Sequence, residues 1–88
     1  MSKREDALQK AKEIICNNRE EEYGTPQESL GRVAKYWSVF LNREISARDV
    51  AILLNLMKLA RMDTGIKKDD NYIDAIGYLA LAYELKEN

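Results

Sequence analysis

The sequence contains no histidine and a single cysteine, and each scarcity removes a class of chemistry. Without histidine, the chain has no Ser-His or Cys-His nucleophile and no histidine-ligated zinc or iron site. Because Cys16 is the only cysteine, an intrachain disulfide and a thiolate metal cluster are both excluded, which fits a reducing compartment. Any bound metal would have to be a hard cation held by carboxylates.

Neither sign of charge is in excess, and no apolar run is long. The 14 basic and 15 acidic side chains give a net charge of −1, whereas neutralising the phosphates of a nucleic acid needs a clear cationic excess. The polar N-terminal residues have no apolar segment behind them, and no run approaches the ~20 apolar residues of a membrane span. We therefore expect a cytoplasmic protein without a signal peptide that binds neither DNA nor a membrane.

Helix-capping signals and helical spacing of apolar residues predict an all-α fold. In three places a hydroxyl residue is followed by an acid three positions later, which is the pattern of a capping box. These pairs are Ser2–Glu5, Thr25–Glu28 and Ser46–Asp49. Apolar residues then recur at i, i+3, i+4 and i+7, without strand-like alternation. The sequence predicts one domain over residues 1–88, with helices at about 3–20, 26–41, 47–62 and 71–86.

The ends of these helices are also marked in the sequence. Gly24, Asn42 and Gly65 tolerate a positive φ, and each stands where one of the first three predicted helices gives way to a turn. In the second helix, Trp37 and Phe40 belong to the apolar stripe, so we expect both side chains to pack in the core.

The third and fourth predicted helices are apolar on more than one side. Since the connection at Gly65–Lys68 is short, we expect them to form an antiparallel central hairpin. A chain of 88 residues has too little material to cover two such helices. An uncovered apolar face of this size marks an interface. The sequence therefore predicts a homodimer or higher oligomer, with the chain itself as a partner.

Four charged residues interrupt the apolar runs of this hairpin. Lys58 and Arg61 share one face of the third helix, and Asp70 and Asp74 share one face of the fourth. They can bridge the two helices; alternatively, the cations can hold a phosphate or the acids can hold magnesium. The cations are the better ligand candidates, because an arginine grips phosphate oxygens with two N–H groups at once.

A second candidate site lies at the start of the second helix. Its backbone N–H groups, together with Thr25 and Arg19, can receive an anion, and Tyr23 can stack on a base. The alternative is a capped turn with a half-buried tyrosine. The acids at 20–22 can contribute to a magnesium site or form a solvated helix end.

An ordered set of landmarks spans Arg19 to Glu84, most of the chain. It consists of Tyr23-Gly24-x-Pro26-x-Glu28, Trp37, Asp49-Val50-Ala51, Lys58-x-x-Arg61, Asp70 and Asp74-x-x-Gly77-Tyr78. This set resembles a family of small phage and prophage proteins of unknown function. More distantly, the chain resembles phage nucleotide-modification-associated domains and the all-α nucleoside triphosphate pyrophosphohydrolases of the MazG type. The resemblance implies a phage-encoded helical protein with a role connected to nucleotides.

The chain departs from the MazG pattern at the residues that would hold metal. Those enzymes bind magnesium with Glu-x-x-Glu on one helix and Glu-x-x-Asp on the next, because two metals need four convergent carboxylates. In this chain the residue three positions after Glu20 is Tyr23, so the second glutamate of a Glu-x-x-Glu motif is missing there. The third helix offers Asn55, Lys58 and Arg61 where acids would be needed. These departures weaken the case for hydrolysis. They are compatible with a cation-lined pocket that binds a nucleotide.

Three functions follow, in this order. The first is an oligomer that binds a nucleotide or related phosphorylated small molecule, without a cofactor. Its expected ligand residues are Lys58, Arg61, Tyr23, Thr25, Arg19, Asp70 and Asp74. The second is an interaction module for a host or phage protein, in which the charged centre is structural. The third is a weak pyrophosphohydrolase, the only one of the three that needs magnesium. The residues favour a binding role over an enzymatic one.

Overall fold

The computed structural model describes residues 2–16, 24–65 and 68–85, and all regular structure in those ranges is α-helical. The helices are α1 (Lys3–Cys16), α2 (Pro26–Leu41), α3 (Ala47–Met62) and α4 (Asp69–Leu85). The predicted all-α, four-helix fold is confirmed, and α2 and α3 have the bounds that the sequence predicts.

Two predicted helix ends differ from the described helices or extend beyond them. The fourth helix, predicted to begin at about Asn71, begins two residues earlier, because α4 includes Asp69 and Asp70. Carboxylates in the first turn interact favourably with the positive end of the helix dipole, so these acids belong to the helix and not to the loop. In the described residues α1 ends at Cys16, and the predicted extension over 17–20 lies outside them.

All three predicted capping boxes form. In each box the hydroxyl oxygen accepts the backbone N–H of the acid, and the carboxylate accepts the N–H of the capping residue. In the box at α2, the backbone N–H of Thr25, and secondly its hydroxyl, lower the pKa of Glu28. Because the folded pKa is depressed, this cap stabilises the fold above the ordinary carboxyl pKa. Its contribution is lost as the pH falls through the lowered value.

The turns between helices use the residues that the sequence marks for them. Gly24, Asn42 and Gly65 have φ values of 83°, 51° and 86°, all in the left-handed region. The connection from α2 to α3 is further fixed by a side chain. The hydroxyl of Ser38 accepts the N–H of Ile45 at 2.9 Å, which ties the loop to the last turns of α2.

Helix α4 is central, because it contacts each of the other three helices. It packs most closely with α3, as the hairpin prediction requires, and α1 contacts α4 alone among the described helices.

The buried apolar residues are mostly small: Ala11, Ala34, Ala47, Val50, Ala51, Ile73, Ala75, Ala82 and Leu85. Small side chains let helix backbones approach closely. At Gly77 of α4, an added Cβ would lie 3.1 Å from Cγ2 of Ile15, so the glycine makes room for α1.

The prediction that Phe40 packs in the core is wrong. Its side chain is 88% exposed, whereas Trp37 is half-buried. Three residues along a helix turn by about 300°, so Phe40 points roughly 60° away from Trp37. The packed stripe of α2 is therefore narrower than the apolar stripe in the sequence, and Tyr36 and Val39 are exposed beside Phe40.

Two glycine substitutions test the close packing of α1 on α4. We expect Gly77→Val to lower the free energy of unfolding by about 1–3 kcal/mol, because the added atoms overpack against Ile15. Gly31 is the matched control, since a Cβ there meets only the Gln27 amide, at 3.8 Å. We expect Gly31→Ala to raise the free energy of unfolding by roughly 0.5–1 kcal/mol, because glycine inside a helix is unfavourable. Urea denaturation followed by circular dichroism measures both, and a Gly77→Val variant as stable as the parent would contradict the packing.

Candidate functional site

The hairpin contains one of the predicted ion pairs. The ammonium of Lys58 lies 2.9 Å from a carboxylate oxygen of Asp74. The side chain of Lys58 is only 11% exposed, and that of Asp74 is 33% exposed. Lys58 lies on the side of α3 that faces α4, so its aliphatic stem is buried while its charge meets the acid of the neighbouring helix. This pair satisfies Lys58 within the fold.

The other predicted bridge does not form. Arg61 and Asp70 are both exposed, and neither is in an ion pair with any residue that the structure describes. The reason is helix geometry. Arg61 is turned about 60° from the direction of Lys58, so it does not face the acids of α4 as Lys58 does. With Lys58 opposite Asp74, the antiparallel register places Arg61 level with Asn71.

That register creates a cleft at the open end of the hairpin. Its volume is about 220 Å³, and it is lined by Arg61, Thr64, Lys68 and Asn71. We call it the turn cleft. Asn71 is 8% exposed, although it belongs to the first turn of α4. Lys68 and Asn71 are not among the residues predicted from the sequence. The signal that was available for Asn71 is its position opposite Arg61 in the antiparallel hairpin.

A second basic cleft lies between the N-terminal turns of α1 and α4. It has a volume of about 450 Å³ and is lined by Lys3, Arg4, Asp6, Ala7, Lys10, Asp69, Tyr72 and Ile73. Its cations are accompanied by two acids, so its net charge is smaller than the number of basic side chains indicates. No pattern in the sequence identifies this cleft, because it depends on how α1 docks on α4.

The second predicted site is only partly within the described residues. Arg19, Tyr23 and the acids at 20–22 lie outside them. Thr25 is engaged in the cap of α2. Its hydroxyl donates to the carboxylate of Glu28 at 3.0 Å and accepts the N–H of the same residue. For Thr25 the structure therefore favours the capped turn over an anion ligand.

One buried acceptor in the hairpin has no partner. The side-chain oxygen of Asn55, one turn before Lys58, is buried and accepts no hydrogen bond in the part of the chain that the structure describes. Leaving a buried polar atom unsatisfied costs about 1–3 kcal/mol. Asn55 thus marks a weak point in the interior of α3, close to the ion pair.

The hairpin also presents a large apolar surface to solvent. Six leucine and tyrosine side chains, each at least 40% exposed, lie opposite the buried residues of their own helices. They are Leu53, Leu56 and Leu59 on α3, and Tyr72, Leu79 and Tyr83 on α4. We call these six the outer face of the hairpin. The described helices leave these side chains largely exposed, although Tyr72 also lines the cleft between α1 and α4.

Within residues 2–16, 24–65 and 68–85, no three Cys, Asp or Glu side chains gather into a group that could hold a metal ion. None of the described helices combines the length and apolarity needed to cross a membrane.

Comparison with known proteins identifies relatives of the chain. Residues 6–86 match the model of a domain of unknown function, DUF6378. The chain is 37% identical over 84 residues to the Gene 55 protein of Mycobacterium phage D29, covering 94% of this chain and 55% of that protein. It is 30% identical over 80 residues to the Gene 55 protein of Mycobacterium phage L5, covering 90% and 51%. The chain thus spans about half the length of these curated relatives.

These matches confirm the resemblance to a small phage protein family of unknown function. The more distant likeness to MazG-type enzymes stays a prediction. No solved structure matches the chain.

The Lys58–Asp74 pair gives a stability prediction with an internal control. We expect Asp74→Ala to lower the free energy of unfolding by about 2–4 kcal/mol, because it leaves the nearly buried ammonium of Lys58 without a partner. Lys58→Met should lower the free energy of unfolding by about 1 kcal/mol or less, because methionine fills a similar volume and the half-buried Asp74 stays solvated. Urea denaturation of both variants measures the asymmetry. Equal losses would mean that burial of Lys58 does not decide the energetics of the pair.

Proposed function

The chain is a phage protein of the DUF6378 family, and we propose that it is a self-associating helical protein that binds a phosphorylated small molecule such as a nucleotide. The main observation behind the proposal is the exposed apolar outer face of the hairpin, because such a surface favours self-association. The exposed cation of Arg61 supports the ligand half. Under this proposal the protein acts in the cytoplasm of the host, where phosphorylated metabolites are found.

The outer face has the size and character of a subunit interface. Six large side chains, each at least 40% exposed, offer with their neighbours an area on the order of the 800 Å² that each partner buries in a standard complex. None of the six is charged. Exposed charged residues lie toward the ends of the two helices, including Arg48, Arg61 and Glu84. An apolar centre with a charged rim is the usual anatomy of such surfaces.

A second copy of the chain is the occupant that suits this face best. Two hairpins that meet through equivalent surfaces form a closed pair in which each face buries the other, and the four helices then resemble a bundle. A chain this short also gains stability from association, because its own core is small. Both arguments favour a homodimer or a higher oligomer built from such pairs.

The ligand half of the proposal depends on which cations are available. Lys58 is nearly buried and lies against the carboxylate of Asp74, which would repel a phosphate at that position. Arg61 is exposed and in no ion pair with the described residues, and it lines the turn cleft. Arginine binds phosphate oxygens in a planar, two-pronged geometry. Arg61 therefore replaces Lys58 as the leading ligand residue.

A second candidate function is the binding of a different protein. Tyr36, Val39 and Phe40 form an exposed apolar patch on the last turns of α2, which we call the α2 patch. It lies on α2, whereas the outer face lies on α3 and α4. A host or phage protein with an apolar surface is a suitable partner. Hydrolysis gains no comparable support, because Asp74 is engaged by Lys58.

Substitutions on the outer face test the self-association. We expect the parent protein to sediment as a dimer or larger at micromolar concentration. Leu56→Glu and Leu79→Glu should convert it to a folded monomer, because each places a charge at the centre of an apolar interface. Phe40→Glu is the matched control, since Phe40 is equally apolar and more exposed but lies in the α2 patch. A parent protein that sediments as a monomer at high micromolar concentration would remove this half of the proposal.

Calorimetric titration tests the ligand half. We expect linear or cyclic nucleotides to bind, and the corresponding nucleosides to bind much more weakly, because the phosphate supplies the charge that Arg61 recognises. Raising the salt concentration should weaken nucleotide binding for the same reason. If every nucleotide tested fails to bind at millimolar concentration, the protein is not a nucleotide-binding protein, and the interaction through the α2 patch becomes the leading function.

A further inference from the structure

We infer that the turn cleft is an anion site that holds a phosphate group through Arg61, Lys68 and Asn71. The inference rests on the proposed function and names the site and the chemical group that it recognises. The ligand class is a phosphate monoester or free phosphate, bound by its phosphate end while the rest of the molecule extends away from the protein.

The size of the turn cleft suits this mode of binding. Its volume of about 220 Å³ is below the roughly 300–1,000 Å³ of pockets that enclose a whole drug-sized ligand. A cleft of this size accommodates a phosphate group and leaves a base and sugar outside. The site then selects for charge and shape at the phosphate, and it discriminates little between bases.

Asn71 is the observation that separates this cleft from an ordinary surface depression. The residue as a whole is only 8% exposed and lines the cleft, and its side-chain amide, which the cleft leaves accessible, is not hydrogen-bonded by any described residue. The amide nitrogen has two N–H groups to donate. A phosphate oxygen in the cleft would accept one of them and satisfy a group that the protein itself leaves unpaired.

The charges around the cleft point to the same ligand. Arg61 and Lys68 are exposed, and neither is in an ion pair with the residues that the structure describes. Two cations at one cleft repel each other, and a divalent anion between them removes that repulsion. Thr64 also lines the cleft, but its hydroxyl donates to the carbonyl of Arg61 at 2.8 Å. The donors to a bound anion are therefore Arg61, Lys68 and Asn71.

The cleft lies where α3 ends and α4 begins, so the opposite dipole ends of the two helices oppose each other there. The attraction for an anion therefore comes from the charged side chains. Asp69 and Asp70 are in the first turn of α4, but successive residues turn by about 100°, so their carboxylates point to other sides of the helix. Neither acid lines the cleft.

The larger cleft between α1 and α4 is a weaker candidate. It contains three basic side chains, but Asp6 and Asp69 line it as well and repel an anion. Its cations are exposed, and it contains no buried polar group that lacks a partner. The turn cleft has two cations, no acid among its lining residues, and the accessible amide of the otherwise little-exposed Asn71.

Phosphate binding by defined variants tests the inference. The probes are inorganic phosphate, adenosine 5′-monophosphate and adenosine, followed by calorimetry and by amide chemical shifts of the full chain. We expect phosphate and the monophosphate to bind competitively and adenosine not to bind. Arg61→Ala should weaken the binding of the monophosphate by about tenfold or more, since it removes the bidentate donor. The matched control Arg32→Ala, on an exposed site of α2, should change nothing.

Asn71→Asp separates a ligand role from a structural one. It keeps the size of the side chain but places a carboxylate beside Arg61 and Lys68. We expect it to abolish phosphate binding without lowering the thermal stability, because the new acid pairs with the two cations. If this variant does not fold, Lys68→Ala tests the same site, because Lys68 is exposed and outside the helices.

The outcomes distinguish the inference from the function on which it rests. Nucleotide binding that is insensitive to Arg61→Ala and to Asn71→Asp, or Lys68→Ala, would overturn the turn cleft as the site and leave the proposed function standing. Chemical-shift changes confined to Lys3–Lys10 would do the same, and would move the site to the α1–α4 cleft. Binding of inorganic phosphate without any nucleotide would support the turn cleft and remove the nucleotide from the proposed function. Failure of every probe would overturn both.

Discussion

Small buried side chains let α3 and α4 lie close together, and the Lys58–Asp74 ion pair fixes which of their residues stand opposite each other. Most other features of the molecule depend on that register. It places Arg61 level with Asn71 and so forms the turn cleft. It also leaves the leucines and tyrosines of the outer face exposed on the sides of α3 and α4 opposite their buried residues. One contact thus determines both the candidate ligand site and the candidate interface.

The distribution of apolar residues links stability to assembly. The largest side chains that are fully buried are Leu85 and Val50, whereas many leucines and tyrosines are exposed. A short chain that keeps its large apolar residues outside buries little hydrophobic area of its own. Association through the outer face would therefore stabilise the fold as well as the complex, so folding and assembly become coupled through concentration. The turn cleft lies at one end of the hairpin, where its charged residues do not interfere with an apolar interface.

Features that depend on neighbouring residues were predictable from the sequence. The capping boxes, the left-handed turns at Gly24, Asn42 and Gly65, and the bounds of α2 and α3 follow from local rules. The bridge between Lys58 and Asp74 was also predictable, because short helical hairpins have few registers. Phe40 was mispredicted because the sequence shows how wide the apolar stripe of α2 is, but not how much of that stripe a neighbouring helix covers. The turn cleft depends on the rotation of α3 relative to α4 at Arg61 and Asn71, which periodicity leaves undetermined.

Helix α1 differs from the others in how it is held. Of the described helices it contacts α4 alone, and in that contact the missing side chain of Gly77 leaves room for Ile15. The α2–α3–α4 unit has its own packing and its own ion pair, so it does not need α1 to set its register. Detachment of α1 would therefore be an opening of the native state distinct from global unfolding, with its own rate of amide exchange. Such an opening would uncover the buried residues of α4 that α1 shields, while the hairpin and the turn cleft stay intact.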